Sequence, residues 1–363
     1  MENNDTKQWK KGVDLEIQKI STIIRNLGFS LDQNQPHVSG ERFLMTKDKL
    51  VLVGKRASDD LRVVVKASSH KGGEQEIRNE KKARDLLQTL SFTQENILFP
   101  REIFFGDKND YLFWVIELIE QKKVFVEHSA EEQFFLILRA FESQEAFHAT
   151  TFEHMRQVAS VFPIFDAQKY LKEFQNFKAT ISANYHHEEI QRTLEAADNL
   201  LHKYQKEIGM FCGYLVHTDF VPHNFRIKDN DVYMLDCSAI LFGNKYEGWA
   251  RFLNYMIIHN PALEQMLIKY IKDNRDVADY TNLRLMRIYK IGFLLQYYIV
   301  ALDKTSGDLR KLTEERINFW HENLKAIVAG KQTDPKIISD YKKERDILRS
   351  EEEKKRQREF AVA

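Results

Sequence analysis

The stretch 215–238, LVHTDFVPHNFRIKDNDVYMLDCS, holds His217, Asp219, Asn224 and Asp236 within a short run of chain. Two carboxylates and an amide oxygen are hard donors. At this spacing they suit magnesium, which takes few protein ligands and keeps room for phosphate oxygens. Phe225, Ile227, Val232 and Met234 alternate with polar residues on either side of Lys228-Asp229-Asn230-Asp231, the signature of a β-hairpin. With the turn centred on Asn230, residue 224 falls opposite residue 236. The hairpin then carries Asn224 and Asp236 to one open end, with Asp219 on the entering loop. The competing reading is a turn rich in Asp and Asn because such residues suit turns. His-x-Asp alone is common; the full spacing through Asp236 is far more specific.

A cation must face these oxygens, and the sequence offers one. LVLVGK (50–55) and LRVVVKAS (61–68) flank a polar turn and predict a second hairpin. Lys66 follows three valines, and a charged group on a buried strand needs a partner. The next segment, EQEIRNEKKARDLLQTL (74–90), is a helix opened by Gly72-Gly73, with Ile77, Ala83, Leu87 and Leu90 on its apolar face. Glu80 lies three residues from both Ile77 and Ala83, on that buried stripe. A carboxylate there calls for a cation, and Lys66 is the natural candidate. Glu76, one turn earlier, is the alternative.

The order of these motifs resembles the protein-kinase-like phosphotransferases, in particular the aminoglycoside phosphotransferase and choline kinase branch. There a His-x-Asp loop ends in Asn and an Asp follows one hairpin later, as in HTDFVPHN (217–224) and LDC (235–237) here. The resemblance implies an α+β, bilobal protein-kinase-like fold with a small antiparallel N-lobe and a mainly helical C-lobe. It implies an ATP-dependent phosphotransferase that moves the γ-phosphoryl group to a hydroxyl of a small molecule, with ATP and Mg2+ as cofactors. Asp219 would be catalytic, aligning the acceptor hydroxyl. Asn224 and Asp236 would hold the metal, and Lys66, oriented by Glu80, would hold the α- and β-phosphates. The segment YLFWVIELIE (111–120) would lead into the hinge, with Glu117, Leu118 and Ile119 along the adenine edge. His217 would brace the loop. His148 reads as a packing residue and His223 as a solvated loop histidine.

Two departures from that pattern stand out. The loop expected to cover the phosphates, 46–49, has no glycine. Where the family carries an aspartate in a stretch like Asp-Leu-Ala, this chain has Glu247-Gly248-Trp249-Ala250. Either Glu247 substitutes or the loop is held in another way.

The remaining elements frame this site. Residues 1–9 read as disordered, and Val13, Ile17, Ile20, Ile24 and Leu27 predict a helix ending at Gly28. The expected organisation is an N-terminal helical extension (1–39), a nucleotide-binding N-lobe (40–120), a helical C-lobe with the catalytic loop (121–330) and a charged C-terminal helix (331–363). FPREIFFG (99–106) completes the strands. Further helices are expected over 168–200, from Gly243, and over 263–271, 283–301 and 309–327. Phe165, Tyr170, Phe174 and Phe177 line either a pocket or ordinary core.

Bulk properties narrow the class. The 54 basic and 54 acidic side chains cancel, so no net field favours nucleic acid or a membrane. Cys212 and Cys237 form neither a disulfide framework nor a zinc motif, and read as buried inert thiols. The polar N-terminus lacks a signal-peptide core, and a cytoplasmic protein without a membrane partner is expected. Beside the enzyme stand two rivals: a kinase-fold protein that binds nucleotide without transfer, and a helical scaffold in which the motif is coincidental.

Overall fold

The computed structural model describes residues 4–35, 49–90, 98–151, 154–351, 353 and 354, with the backbone alone for 4–10 and 146–151. The N-terminal half is one helix-backed antiparallel sheet. Helix α1 (Asn4–Arg25) ends at Gly28, whose φ of +84° favours glycine. The helix begins earlier than the disordered stretch 1–9 allowed. The one glycine in its first turns, Gly12, costs only about 1 kcal/mol and does not stop it.

Strands β1 (Phe29–Leu31), β2 (Leu50–Arg56), β3 (Arg62–Ser68), β4 (Glu102–Lys108) and β5 (Tyr111–Glu117) pair in the order β1-β2-β3-β5-β4. Alternation drives this: Leu52, Val63, Val65, Phe113 and Val115 point to one face and pack on Ile20 and Ile24 of α1. The other face carries Trp114 and Ile116, and Ile77 of helix α2 (Lys71–Thr89) covers it. The turn between β4 and β5 holds Asn109 and Asp110 at φ +49° and +64°, the two left-handed positions of a tight hairpin.

From residue 130 the chain is mainly helical: α3 (Ala130–Thr151), α4 (Met155–Val161), α5 (Ala167–Asn184), α6 (Glu188–Lys203) and α7 (Gln205–Met210). Two small antiparallel pairs follow, β6 (Cys212–His217) with β9 (Ile240–Asn244), and β7 (Phe225–Lys228) with β8 (Asp231–Met234). The pairing of β6 with β9 was not foreseen, and it shortens the helix expected from Gly243: α8 spans Tyr246–His259. Gly243 pairs with Tyr214 in β9, where a β-carbon would sit 2.4 Å from the Tyr170 hydroxyl. Helices α9 (Pro261–Asn274), α10 (Val277–Ala301), α11 (Gly307–Val328) and α12 (Pro335–Leu348) complete the fold. The charged helix expected over 331–363 is α12 as far as Leu348; after a break at 349–350 the chain is helical again at 351, 353 and 354, and 355–363 lie outside the described residues.

Helix α10 is the central post of this half, with Leu285, Ile288, Ile291 and Leu295 all buried. Val277–Lys304 is long and apolar enough to cross a membrane, but 67% of its apolar window is buried inside the protein, as in a core helix. Tyr170, Phe174 and Phe177 are buried in the same core, so these aromatics pack rather than line a pocket. Stacking of Phe141 on Trp249, with centroids 4.2 Å apart, joins α3 to α8.

The two halves are stitched behind the site. The Met234 N–H donates to the Leu98 carbonyl at 2.8 Å, and the Ile227 N–H donates to Gln121 Oε1 at 2.9 Å. At the opposite edge of the sheet, a β-carbon on Gly54 would fall 2.2 Å from the Ser30 carbonyl oxygen. Gly54→Ala should therefore push β1 off β2 and cost about 1–3 kcal/mol, read as a lower urea midpoint. An unchanged midpoint would show that β1 is not pinned there.

Candidate active site

Lys66 and Glu80 meet. Lys66 Nζ donates to Glu80 Oε1, with the two residues 8% and 2% exposed. The pairing follows from geometry: β3 presents Lys66 opposite Trp114 of β5, and α2 turns Glu80 inward on the stripe of Ile77 and Ala83. Indole flanks the ammonium, which sits 5.0 Å from the Trp114 ring centroid. Glu80 is the only described acceptor of Lys66, leaving two of its three N–H groups for another anion.

Glu76, the alternative, points outward, with 62% of its side chain exposed, and takes a different lysine, Lys49, at 3.1 Å. Lys49 was missed in the sequence. Burial lowers its pKa, but Glu80, Asp236 and Glu76 outweigh that and leave it raised. Its only signal was its place just ahead of β2, next to the glycine-free stretch. Of that stretch, 46–48 lie outside the described residues.

The hairpin β7–β8 delivers Asn224 and Asp236 to one end, though with a different register. Phe225 pairs with Met234 and Lys228 with Asp231, so the turn has two residues, Asp229 and Asn230, at φ +52° and +69°. This tight turn places residue 224 opposite 235, not 236, and the Leu235 N–H donates to the Asn224 carbonyl at 2.8 Å. Asp236 then adopts the left-handed region, φ +53°, which turns the chain away just after the pair. Ser238 Oγ donates to Asp236 Oδ1 at 2.5 Å. Burial would raise the Asp236 pKa, but Lys66, Ser238, His217 and Lys49 together hold it below the ordinary value. The ammonium of the sheet and the carboxylate of the helical half therefore lie within electrostatic reach of each other.

Asp219 has a partner on each carboxylate oxygen. Arg251 of α8 donates from Nε to its Oδ1 at 2.7 Å. Asn224 Nδ2 donates to its Oδ2 at 2.9 Å and to its carbonyl at 2.8 Å. Burial pushes the Asp219 pKa up, but Arg251, His217 and Lys290 overcome it and bring it down to about 2. Arg251 is the second residue that the sequence did not single out; its only signal is its place one turn beyond Glu247 on α8.

The loop carrying Asp219 is braced without the family's aspartate. His217, fully buried, donates from Nε2 to the Leu235 carbonyl at 2.9 Å. Thr218 donates from its backbone and hydroxyl to the Ala239 carbonyl at 2.8 and 2.9 Å. Gln144 Oε1 accepts from the His217 N–H at 3.3 Å. Glu247 does not substitute: it is spent in the core on Lys290 at 3.1 Å and the Tyr170 hydroxyl at 2.7 Å. Gly248 lets the helix approach, since a β-carbon there would lie 3.0 Å from the His217 carbonyl oxygen. His223 is half-buried edge-on to Tyr255, centroids 5.9 Å apart, and so is not the solvated histidine expected. The side chain of His148 lies outside the described residues.

At the hinge, the Glu117 N–H donates to the Arg101 carbonyl at 2.8 Å and the Leu118 N–H to the Arg62 carbonyl at 2.9 Å. The Ile119 amide has no protein acceptor among the described residues. Both thiols are unpaired with each other; burial pushes Cys212 up to about 12 and Cys237 higher still, as expected of inert thiols.

Whether these residues fit a divalent ion turns on the oxygens left open. Asn224 gives its amide nitrogen to Asp219, and its Oδ1, like Asp236 Oδ2, has no donor among the described residues. Hard oxygens of this kind fit magnesium, which completes its shell with phosphate and water. No group of three or more His, Cys, Asp and Glu side chains is arranged for a metal among the described residues. This accords with Asp219 being held by Arg251.

Solved structures similar to this chain include a thermostable mutant of aminoglycoside phosphotransferase APH(4)-Ia in apo form, with a TM-score of 0.58 and 11% identity over 83% of this chain and 95% of that one. Macrolide 2'-phosphotransferase type I gives a TM-score of 0.54 and 10% identity, over 84% of this chain and 97% of the other. The GDP complex of wild-type aminoglycoside 2'-phosphotransferase-IIIa gives 0.55 and 10%, over 77% and 90%. No family model matches the chain, and no curated protein does. The fold is the bilobal, protein-kinase-like one of these structures.

Two outcomes test the electrostatics. Lys66→Met strands a buried carboxylate and should cost about 3 kcal/mol or more, whereas the double change with Glu80→Leu should recover part of it; urea unfolding of both decides. Asp219 has a depressed pKa, so its contribution to stability is whole above the unfolded value and is lost as the pH falls toward about 2. The stability gap between wild type and Asp219→Asn should be flat above about pH 5 and shrink below about pH 4. A gap that widens toward acid would contradict the ion pair.

Proposed function

We propose that this chain is an ATP-dependent phosphotransferase that moves the γ-phosphoryl group to a hydroxyl of a small molecule. The observation that carries this reading is the Lys66–Glu80 pair, buried in the sheet half and reaching Asp236 of the opposite half electrostatically. Nucleotide and acceptor complexes of similar structures support it, among them an APH(4)-Ia mutant with AMP-PNP and hygromycin B.

Each residue has a task set by its surroundings. Lys66, fixed by Glu80 and Trp114, holds the α- and β-phosphates with its remaining N–H groups. Lys49, raised in pKa by three carboxylates, adds a second positive charge at the mouth. The backbone after Glu117, with the Ile119 amide that has no acceptor among the described residues, takes the adenine edge. Asn224 Oδ1 and Asp236 hold the magnesium ion. Magnesium ATP supplies the γ-phosphoryl group and the positive charge that screens its oxygens.

Asp219 orients the acceptor hydroxyl. A carboxylate held near pKa 2 is a weak base, so it receives the proton late, after the new P–O bond has formed and the bond to ADP has broken. Catalysis is then mainly positioning and charge. A second reading, nucleotide binding without transfer, draws on the Arg251 contact that already occupies Asp219.

Thermal shift with Mg-ATP and an ADP-release screen over hydroxyl acceptors separate the two. Asp236→Asn should abolish the magnesium-dependent Tm rise. Asp219→Asn should keep that rise and lower turnover by about 100-fold or more. Stabilisation by Mg-ATP without ADP release from any acceptor would favour the binding-only reading, and no effect of Mg-ATP would sink both.

A further inference from the structure

Helix α2 offers two carboxylates one turn apart, and each meets its own lysine. Glu80 takes Lys66 of β3, and Glu76, four residues earlier, takes Lys49 at 3.1 Å. The strand register puts both lysines on one face of the sheet. Val51 of β2 lies opposite Lys66, and Lys49, two residues before Val51, points the same way. The two lysines are therefore diagonal neighbours on adjacent strands.

Burial sets the two pairs apart. Lys66 and Glu80 are enclosed, whereas Glu76 keeps 62% of its side chain in water and Lys49 20%. A pair with so solvated a partner contributes little to stability, and water can take over the Glu76 carboxylate when the lysine leaves. Lys49 is a compact charge on a flexible four-carbon stem. Glu76 is its only ion-pair partner among the described residues, so two of its three N–H groups are open to another anion.

Its place along the strands says which anion. The hinge lies at the Val63–Glu117 end of the β3–β5 pair, and Lys66 stands opposite Trp114, three residues further on. Continued by one pair, the β2–β3 register sets Lys49 opposite Ser68, two residues beyond Lys66. At about 3.3 Å per residue, Lys49 is about 7 Å further from the hinge. A nucleotide with its base at the hinge and its α- and β-phosphates at Lys66 carries its terminal phosphate on toward Lys49. Glu80 and Asp236 also act on the Lys49 ammonium through space.

We infer that Lys49 exchanges Glu76 for the terminal phosphate of a bound nucleoside triphosphate, and that this exchange makes the site prefer a triphosphate to a diphosphate. The phosphate oxygens are charged acceptors held inside the site, while the Glu76 carboxylate is screened by water, so the trade is favourable. The inference rests on the nucleotide-binding part of the phosphotransferase reading.

The two partners of a fixed structural pair would matter alike, whereas the partners of an exchange act in opposite directions. Mg-AMP-PNP, Mg-ADP and AMP titrated calorimetrically into the full chain tell these apart. Lys49→Met should weaken AMP-PNP about tenfold and leave ADP and AMP within about twofold. Glu76→Gln, which removes the competitor and keeps the shape, should tighten AMP-PNP about threefold, and this gain should vanish when Lys49→Met is added. Where Lys49→Met fails to fold, the sign of the Glu76→Gln effect decides alone.

An unchanged ratio of AMP-PNP to ADP affinity in Lys49→Met overturns the inference, as does a Glu76→Gln variant that binds AMP-PNP no tighter than wild type. Either result leaves the phosphotransferase reading standing, because ADP release from Mg-ATP tests that separately. A wild-type chain that binds none of the three nucleotides removes both.

Discussion

A buried charge must find its counter-charge, and in this protein that constraint is met by Lys66 and Glu80. Burying either group without the other would be costly. Their contact fixes how α2 lies on the sheet, and α2 in turn packs beside the turn Cys237–Ala239 that follows Asp236. The pair therefore orders the small half internally and points a positive charge across the cleft. Asp236 is kept ionised largely by that charge, so the two sides of the site depend on each other.

The helical half solves a different problem, that of holding a loop whose own aspartate must stay accessible. The load is spread over Gln144, Thr218 and His217, all bonding backbone groups. Gly248 contributes by having no side chain. Glu247 is sequestered with Lys290 and Tyr170, where it locks α5 and α10 to α8. Arg251 completes the set from one turn further on, and it neutralises Asp219 while leaving its own fork free. One helix thus braces the loop at its start and carries the cation that holds Asp219.

Much of this was legible in the chain. Runs of apolar residues marked six of the strands, β2 to β5, β7 and β8, and the apolar stripe of α2 singled out Glu80 over Glu76. The motif spacing placed Asp219, Asn224 and Asp236 at one loop and hairpin. What went unread has a common cause. Strands β6 and β9 are separated by the whole hairpin, and a pairing over that distance leaves no local pattern. The register slip came from a two-residue turn, which depends on left-handed backbone at both Asp229 and Asn230.

Local periodicity and residue type therefore determined the elements, the ion pair and the oxygen donors, because these follow from short-range geometry and from the cost of burying charge. Tertiary structure alone decided what each donor faces. Arg251 on Asp219 and Lys49 on Glu76 join residues 32 and 27 positions apart. Their charges act through space once the helices have packed, and no spacing along the chain records that distance.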